Sequence, residues 1–488
     1  MPEEAKTDAK TDAKTTPPER IPLETDREWV TTHHSLNGFD YEAIVGQMPL
    51  KSEKGEVDAG IFFTAYRRKG DHDPSTRPLM FTFNGGPGSA SVWLHLGAVG
   101  PRRVVLQPDG SMPAPPYRLE DNPQSWLEFA DLVFIDPVGT GYSRAATEEI
   151  SKKHWGLEGD IASIGEFIRL YLGRTQRWTS PLYLAGESYG TTRAAGLSRW
   201  LVERGIAMSG LILVSSILNF QTARFMKGND LPYILFLPTY AATAWYHKRL
   251  PGRRSLESVL KEAETFAAGE YTTALAKGDQ LPKAERARII AKLAHLTGLS
   301  PAYLEATDLR IQIHRFCKEL LRDQKRTVGR LDSRFRGIDA NAAGEVIEHD
   351  PASTSILPPF TAGIYDHLQR TLGWKTDLPY NVFNPGELWK HWTYGDAGQG
   401  YPDTSEALRA AMSRNPFMRI FVASGWYDLA TPYFATRYTL AHLGLDPTLR
   451  NAISTRDYPA GHMMYIDEGC LTTLAKDVRD FVAGPVAP

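Results

Sequence analysis

The chain has 488 residues, of which 42% are hydrophobic and 11% aromatic, so it can form a large core and more than one minimal domain. The formal net charge of −2 gives no reason to expect nucleic acid or an anionic membrane surface as a partner. Two cysteines argue against a disulfide-rich fold, and apolar runs stay below the roughly 18 residues that cross a membrane.

The N-terminal segment, residues 1–21, is polar and repetitive. A Lys-Thr-Asp-Ala motif starts at Lys6 and again at Lys10, which predicts a disordered tail. The tail has no hydrophobic signal-peptide core, so the sequence favours a cytoplasmic location. A periplasmic or secreted location stays open if a leader was removed.

Three segments after the tail, residues 28–36, 39–50 and 57–68, are rich in β-branched and aromatic residues. Glycines separate them, so we predict antiparallel strands that open a sheet. His33 and His34 alternate across the first strand. Because no partner ligands follow at metal-site spacing, we expect no metal there.

An apolar strand over residues 79–83 leads into a glycine-rich loop, residues 84–91. Such a loop could cradle a phosphate, but it lacks the Lys-Ser/Thr pair of a P-loop and the spacing of a dinucleotide-binding motif. We interpret it instead as an oxyanion-hole loop. Its small residues would let backbone N–H groups approach a reacting carbonyl.

A short apolar strand, a sharp turn and a helix start are predicted over residues 181–203. Gly186, Ser188 and Gly190 fit G-x-S-x-G, the nucleophile elbow of the α/β-hydrolase fold. A serine on this strained turn needs neighbours without side chains, which glycine supplies. The helix start then directs free N–H groups at a developing oxyanion. Ser188 is therefore the candidate nucleophile.

The rest of the chain alternates strands with helices. Strands are predicted over residues 131–135, 211–215, 419–424 and 451–458, and helices over residues 158–171, 406–412 and 471–482. This alternation predicts an α/β fold with a mostly parallel, doubly wound sheet, as in the α/β-hydrolases.

A block in the middle of the chain interrupts that alternation. Residues 255–268, 283–296 and 307–323 have helical periodicity. We predict a hydrolase core of residues 22–220 and 390–488 and an inserted, mainly helical cap of residues 221–389. A turn-prone segment, residues 329–334, is expected to return from the cap toward the site.

The acid and base of this fold lie in loops at the ends of later strands, in the order Ser, Asp, His. Asp428 and His462 have that position and order. A serine hydroxyl is a weak nucleophile, so His462 would take its proton while Asp428 orients the imidazole. The rival acids are Asp446 and Asp457 and the rival base is His442. Asp446 precedes a proline in a turn and His442 falls in a probable helix, so both are less well placed.

Together these motifs resemble the serine carboxypeptidase family. The resemblance rests on residues 84–88, 122–126, 136–139 and 186–190, then on Gly425 with Asp428 and on residues 461–463. The glutamate directly before the nucleophile is distinctive for that family. The resemblance implies a disulfide-poor, bacterial-type enzyme that releases C-terminal residues from peptides through an acyl-enzyme.

The resemblance also implies roles for the residues around Ser188. The backbone N–H groups of Gly86 and Tyr189 would form the oxyanion hole. Asn84, Gly85 and Glu187 would bind the substrate, with Asn84 and Glu187 gripping its terminal carboxylate. Alternatively, Asn84 only stabilises a turn and Glu187 only starts the helix.

Three positions depart from the family pattern. Thr82 stands where the family has tryptophan, and Ser89 replaces a cysteine, which removes a disulfide. Ala98 stands where a second glutamate pairs with the one before the nucleophile. This last departure weakens the expectation of strict carboxylate recognition, but not of hydrolysis.

The chemistry of this triad needs no metal and no organic cofactor. We expect a peptide substrate, no nucleic acid or membrane partner, and leave a homodimer open. The alternative function is an esterase or acyltransferase, since the same acyl-enzyme can pass its acyl group to water or to another nucleophile. A binding scaffold is disfavoured because it has no need of all three triad residues.

Overall fold

The computed structural model describes residues 20–70, 73–384, 386–398 and 400–484. The predicted disordered tail lies outside these residues, apart from its last two. Within them, the strands are β1 (Val30–Leu36), β2 (Phe39–Lys51), β3 (Val57–Arg68), β4 (Leu79–Phe83), β5 (Arg102–Val104), β6 (Leu119–Asp121), β7 (Asp131–Ile135), β8 (Arg144–Ala145), β9 (Leu182–Glu187), β10 (Gly210–Val214), β11 (Thr327–Val328), β12 (Arg336–Gly337), β13 (Arg419–Gly425) and β14 (Ile453–Tyr458).

The α-helices of the described residues follow the same chain order. They are α1 (Val92–Leu94), α2 (Glu148–His154), α3 (Leu157–Thr175), α4 (Tyr189–Val202), α5 (Leu231–Tyr246), α6 (Leu256–Phe266), α7 (Thr272–Lys277), α8 (Lys283–Thr297), α9 (Pro301–Ala306), α10 (Ile313–Glu319), α11 (Pro351–Asp366), α12 (Glu387–His391), α13 (Ser405–Arg414), α14 (Tyr433–Ala441) and α15 (Glu468–Ala483).

A mixed sheet of ten strands forms the centre of the protein. Its strand order is β1-β2-β3-β7-β4-β9-β10-β13-β14, and β8 pairs with β3. The pairs from β1 to β7 are antiparallel, whereas every pair from β7 to β14 is parallel. The predicted antiparallel opening and the mostly parallel α/β-hydrolase sheet are therefore confirmed.

The two faces of the sheet are buried in separate cores because side chains alternate along each strand. Met80 and Phe134 lie in one core, which also takes side chains from α11 and α15. Phe81 and Val133 lie in the other, which takes side chains from α3 and α4. Both faces of β4, β9 and β13 are thus buried, and loops at their carboxyl ends are well placed to carry a site.

The chain between β10 and β13 is mainly helical. Side chains of α5 to α10 share a third core, which Leu429 and Ala435 join from the region after β13. α11 instead packs on the sheet, through Ile356, Phe360 and Ile364. The division into a core and a cap of residues 221–389 stays a prediction, and within that range two packing environments are seen.

One predicted helix, residues 307–323, is wrong. The chain forms α9 and α10 with a break between them, where Asp308 and Leu309 have φ of 49° and 66°. Left-handed backbone ends a helix, and periodicity alone does not reveal it. Across the described ranges, no helix is both long and apolar enough to cross a membrane.

Candidate active site

Ser188 lies on a strained turn between β9 and α4. Its φ of 58° and ψ of −129° are unusual for a residue with a side chain, and its side chain is half-buried. A Cβ on Gly186 would lie 2.3 Å from the Gly190 carbonyl oxygen, and one on Gly190 would lie 2.9 Å from the Phe83 carbonyl oxygen. The two glycines of the motif are therefore required by close backbone approach.

Asp428 and His462 are in direct contact at the carboxyl ends of β13 and β14. Nδ1 of His462 lies 2.7 Å from Oδ2 of Asp428, and both side chains are buried. The other Asp428 oxygen accepts the backbone N–H groups of Ala430 and Thr431 at 2.7 and 2.9 Å. These bonds fix the carboxylate, which in turn fixes the imidazole ring.

Each member of the pair shifts the pKa of the other. Burial alone would raise the pKa of Asp428, but His462 and the hydrogen bonds outweigh it and lower that pKa. Burial alone would lower the pKa of His462, but the Asp428 carboxylate outweighs it and raises that pKa. An imidazole with this partner accepts a proton more readily at Nε2.

The end of β10 brings Ser188 and His462 to the same place. The Ser188 N–H donates to the Val214 carbonyl at 3.0 Å, and the hydroxyl of the next residue, Ser215, donates to the His462 carbonyl at 2.5 Å. Among the described residues, no hydrogen bond joins Ser188 Oγ to the His462 ring. Such catalytic contacts are often long before substrate binds and tighten in the complex.

The glycine-rich loop lies against the elbow. A Cβ on Gly85 would lie 2.5 Å from the Tyr189 backbone nitrogen, so only glycine fits. Neither the Gly86 nor the Tyr189 N–H donates a hydrogen bond within the described part of the chain. Both N–H groups are therefore available to a ligand, as an oxyanion hole requires.

A buried ion pair fixes this arrangement. The Arg193 guanidinium donates to Asp160 at 2.8 Å and to the Asn84 carbonyl at 2.7 Å. The Tyr189 hydroxyl also donates to Asp160, at 3.1 Å. Arg193 therefore links the glycine-rich loop to the helix that follows the nucleophile.

Glu187 and Asn84 lie buried beside Ser188. Burial raises the pKa of Glu187 from 4.5 to about 7, although the nearby His462 and a hydrogen bond from Tyr465 act to lower it. Oδ1 of Asn84 accepts the Leu94 N–H at 3.0 Å, which is a turn-stabilising role. Nδ2 of Asn84 is buried without a hydrogen-bond partner among the described residues. A neutral carboxyl and a free amide donor thus lie next to the nucleophile.

Residues 329–335 form the loop of the β11–β12 hairpin, called here the hairpin loop. It reaches both loops that carry Asp428 and His462, as expected for residues 329–334. Four hydrogen bonds make the contact: Leu429 N–H to the Arg330 carbonyl (3.0 Å), His462 N–H to the Leu331 carbonyl (2.6 Å), Gly461 N–H to Asp332 Oδ2 (3.0 Å) and Ser333 N–H to the Tyr427 carbonyl (3.0 Å).

The rival acids and base lie elsewhere. Asp446 is exposed and caps the turn that starts at Pro447, through the Thr448 N–H at 2.9 Å. Asp457 pairs with Arg437. The His442 ring bonds the Tyr438 carbonyl at 2.7 Å on the protein surface. Each has a structural partner away from Ser188.

Sequence reasoning missed several residues of the site. The Thr431 hydroxyl lies 2.7 Å from Asp428 Oδ2 and 3.2 Å from His462 Nδ1. Tyr465, Arg193 and Asp160 were also not singled out. Tyr465 and Thr431 lie three residues after His462 and Asp428, but this spacing has no known motif attached to it.

No group of three or more metal-ligating side chains is found in the described part of the chain.

Comparison with known proteins finds a family that resembles part of this chain. The model of the serine carboxypeptidase family matches residues 46–229, which include the glycine-rich loop and Ser188. Over these residues the chain is similar to the serine carboxypeptidase family. Asp428 and His462 lie beyond the matched range.

Curated relatives of the family match part of their own length. Serine carboxypeptidase-like 1 of Arabidopsis thaliana is 26% identical over 266 residues, which cover 51% of this chain and 53% of that protein. The pheromone-processing carboxypeptidase KEX1 of Leptosphaeria maculans is 34% identical over 163 residues, which cover 32% of this chain and 23% of that protein. The chain thus spans about half or less of the curated relatives it matches.

A solved structure shares the fold over most of its length. The prohormone-processing carboxypeptidase Kex1(Δ)p of Saccharomyces cerevisiae superposes with a TM-score of 0.59 at 16% identity. The alignment covers 90% of this chain and 91% of that one. At this identity the likeness concerns the α/β-hydrolase fold.

Proposed function

We propose that this protein is a serine carboxypeptidase that releases C-terminal residues from peptides. The observation that carries the proposal is the pair of Glu187 and Asn84, buried directly beside Ser188. A general esterase has no use for a buried carboxyl group at this place. A peptide carboxylate would be bound by the protonated Glu187 and by the unpartnered Nδ2 of Asn84.

Acylation would use the Asp428–His462 pair. The bond to Asp428 holds the Nδ1–H tautomer, so Nε2 of His462 can take the Ser188 proton as Oγ attacks the scissile carbonyl. The Gly86 and Tyr189 N–H groups would bind the oxyanion. His462 then gives the proton to the leaving nitrogen, the C–N bond breaks, and the C-terminal amino acid departs.

Deacylation would repeat these steps with water. His462 takes a proton from the water as its oxygen attacks the acyl carbon of the Ser188 ester. Collapse of the second tetrahedral intermediate breaks the ester bond, and the proton returns to Ser188 Oγ. The shortened peptide leaves with a new terminal carboxylate.

The mainly helical segment would restrict access to chain ends. Its hairpin loop touches the acid and base loops directly, and its Tyr246 ring lies 5.3 Å from the ring of Tyr427, next to Asp428. A folded layer at this distance favours a narrow entrance. An unstructured protein without a free end near the site should therefore not be cut internally.

The test is a matched set of blocked dipeptides: one with a free C-terminal carboxylate, its C-terminal amide, and a simple ester. Product analysis should show release of the C-terminal amino acid from the free acid at the highest kcat/KM. A fluorophosphonate probe should label wild type and not Ser188→Ala. Labelling without peptide hydrolysis would overturn the carboxypeptidase assignment and leave a serine esterase.

The esterase or acyltransferase alternative is favoured by one observation, the replacement of the second glutamate by Ala98. If that loss abolishes carboxylate recognition, acid and amide substrates should be cleaved equally. Adding an alcohol or amine acceptor to the ester reaction separates hydrolysis from acyl transfer.

A further inference from the structure

Tyr465 is the direct hydrogen-bond partner of Glu187. Its hydroxyl donates to Oε2 of Glu187, and both side chains are buried, at 1% and 3% exposure. Tyr465 lies in the turn Met464–Ile466, three residues after His462. The residue that touches the carboxylate-binding glutamate is therefore carried by the same loop as the base.

Gly97 makes room for the Tyr465 ring. A Cβ on Gly97 would lie 2.7 Å from Cε2 of Tyr465 and 3.2 Å from Phe360. The next residue is Ala98, fully buried, at the position where the family resemblance has a second glutamate. The backbone of this segment is held by Asn122, whose amide donates to the Ala98 and Gly100 carbonyls at 2.8 and 2.9 Å.

We propose that Tyr465 is a positioning residue that takes the place of the missing second carboxyl group beside Glu187. By occupying Oε2, it directs the proton of Glu187 to Oε1, toward the free α-carboxylate of a peptide. This inference rests on the proposed function, since it assigns the orientation of the same carboxylate-binding group.

The chemistry of a phenol differs from that of a carboxyl group in one way. A carboxyl pair shares a proton, and either partner can donate. Burial raises the pKa of Tyr465 well above its ordinary value of 10, so its hydroxyl donates throughout the working range. With Oε2 occupied, neutral Glu187 and Nδ2 of Asn84 each offer one donor to the ligand. Two donors match the two oxygens of a carboxylate.

The Tyr465 bond also bears on the proton affinity of Glu187. A donor at Oε2 favours the ionised carboxylate, so this bond opposes the effect of burial on the pKa. The other groups that act on Glu187 are His462 and the nearby Asn84 side chain, which also lower its pKa, and Asp428, which raises it. Removing only the phenol oxygen should therefore shift the Glu187 titration upward.

Tyr465→Phe tests the inference, because it removes the hydroxyl and keeps the ring. For the free-acid dipeptide we expect KM at acidic pH to rise about tenfold, the effect of weakening the hydrogen bond from Glu187 to the substrate carboxylate. The pH at which KM begins to climb should move upward. kcat, the KM of the amide substrate and the rate of phosphonylation of Ser188 should stay within about twofold of wild type.

Tyr458→Phe is the matched control. Tyr458 is equally buried, and its hydroxyl also donates to a carboxylate, Asp477, at 2.7 Å. It should leave both KM profiles unchanged. Gly97→Ala is a second probe, since its Cβ displaces the Tyr465 ring without removing the hydroxyl. It should reproduce the KM change of Tyr465→Phe in weaker form.

Infrared spectroscopy gives a readout that does not require turnover. The band of the protonated Glu187 carboxyl is identified in pH-difference spectra as the one that Glu187→Gln removes. Its midpoint should lie higher in Tyr465→Phe than in wild type. An unchanged midpoint, with unchanged KM profiles, would overturn the role of Tyr465. Wild-type enzyme that treats acid and amide alike would instead overturn the proposed function, and the infrared midpoints would still decide whether Tyr465 acts on Glu187.

Discussion

Gly461 donates its backbone N–H to Oδ2 of Asp332 at 3.0 Å, across 129 positions of sequence. Gly461 directly precedes His462, so a side chain of the hairpin loop holds the residue next to the base. Asp332 is itself held by Arg334, which also contacts Asp467 at 3.1 Å. The mainly helical segment is thus tied to the loop of the Asp428–His462 pair by a buried, charged contact.

Asp332→Ala should lower kcat by about ten- to a hundredfold and leave KM nearly unchanged, because it frees the loop that positions His462 without touching substrate. It also leaves the Gly461 N–H and Arg334 without their partner, so the free energy of unfolding should fall by about 3 kcal/mol. Steady-state kinetics well below the melting temperature, with urea unfolding, measure both.

Two comparison variants define what Asp332 does. Asp332→Asn keeps an acceptor for Gly461 and should retain more activity than Asp332→Ala. Asp446→Ala removes an exposed turn-capping aspartate and should leave kcat unchanged. Loss of stability in Asp332→Ala with full kcat would show that the contact is structural and does not position the base.

Ser188→Ala should keep the fold and lower kcat by several orders of magnitude, since a triad without its nucleophile retains only binding and oxyanion effects. Ser198→Ala is the control, because Ser198 lies buried in the same helix and donates to the Ala195 carbonyl at 2.7 Å. Product formation by the two variants is compared on the free-acid dipeptide. A Ser188→Ala protein with about a tenth of wild-type activity would not fit a Ser188 nucleophile.

The elbow and the strands that lead to Asp428 and His462 could be predicted because each depends on the local sequence. Gly186 is required by the backbone of nearby Gly190, and Asp428 and His462 follow apolar strands that can be recognised in the sequence. The contacts of Tyr465 with Glu187 and of Asp332 with Gly461 depend on how distant segments meet. No local pattern encodes such a contact. The break at Asp308 was missed for a different reason, since helical periodicity continues through it.

Glu187→Gln should stabilise the protein at neutral and basic pH. The folded-state pKa of Glu187 is about 7, against an ordinary value of 4.5. As pH rises from about 4.5 to about 7, the unfolded chain releases this proton first, so folding stability is lost over that interval. The variant has no proton to lose and should gain on the order of 3 kcal/mol above about pH 7, and little near pH 4.5.

Urea unfolding of wild type and Glu187→Gln at several pH values measures this difference. Glu53→Gln, at an exposed turn position, is the control and should show no pH-dependent gain. The same Glu187→Gln protein should have a flatter dependence of KM on pH for free-acid peptides, because an amide donates at every pH. A stability difference that is constant with pH would mean that Glu187 is already ionised in the folded protein.

Carboxylate binding by Glu187 and proton transfer by His462 would be favoured at opposite ends of the pH range. In the proposed mechanism, Glu187 binds a carboxylate best below about pH 7, where it is protonated. His462 must be neutral, and the raised pKa that Asp428 gives it moves this requirement toward higher pH. We expect a bell-shaped kcat/KM for free-acid peptides. For the matched amides only the rising limb, from His462, should be seen, and a bell of equal shape for both would remove Glu187 from recognition.

A second buried cluster limits how far into acid the protein can work. The Tyr66 hydroxyl lies 2.6 Å from Nε2 of His95 and 2.7 Å from Nε2 of His367, and all three side chains are buried. A phenol has one proton, so it donates to one imidazole and accepts from the other. The ring that accepts from Tyr66 must therefore be neutral.

Burial lowers the pKa of His367 from 6.5 to about 3 and that of His95 well below 6.5. Neighbouring basic side chains further disfavour the protonated form of each ring. Below about pH 6.5 the unfolded chain therefore binds protons that the folded chain cannot. Stability is fully present above that pH and falls by up to about 1.4 kcal/mol per pH unit for each histidine, down to about pH 3 for His367. His367→Gln should flatten this acid slope, at a cost in stability at neutral pH from the altered packing. His442→Gln, on the surface, should leave the slope as it is. Free energies of unfolding from urea titrations across the acidic range measure the slopes, and equal slopes in wild type and His367→Gln would show that His367 is protonated without unfolding.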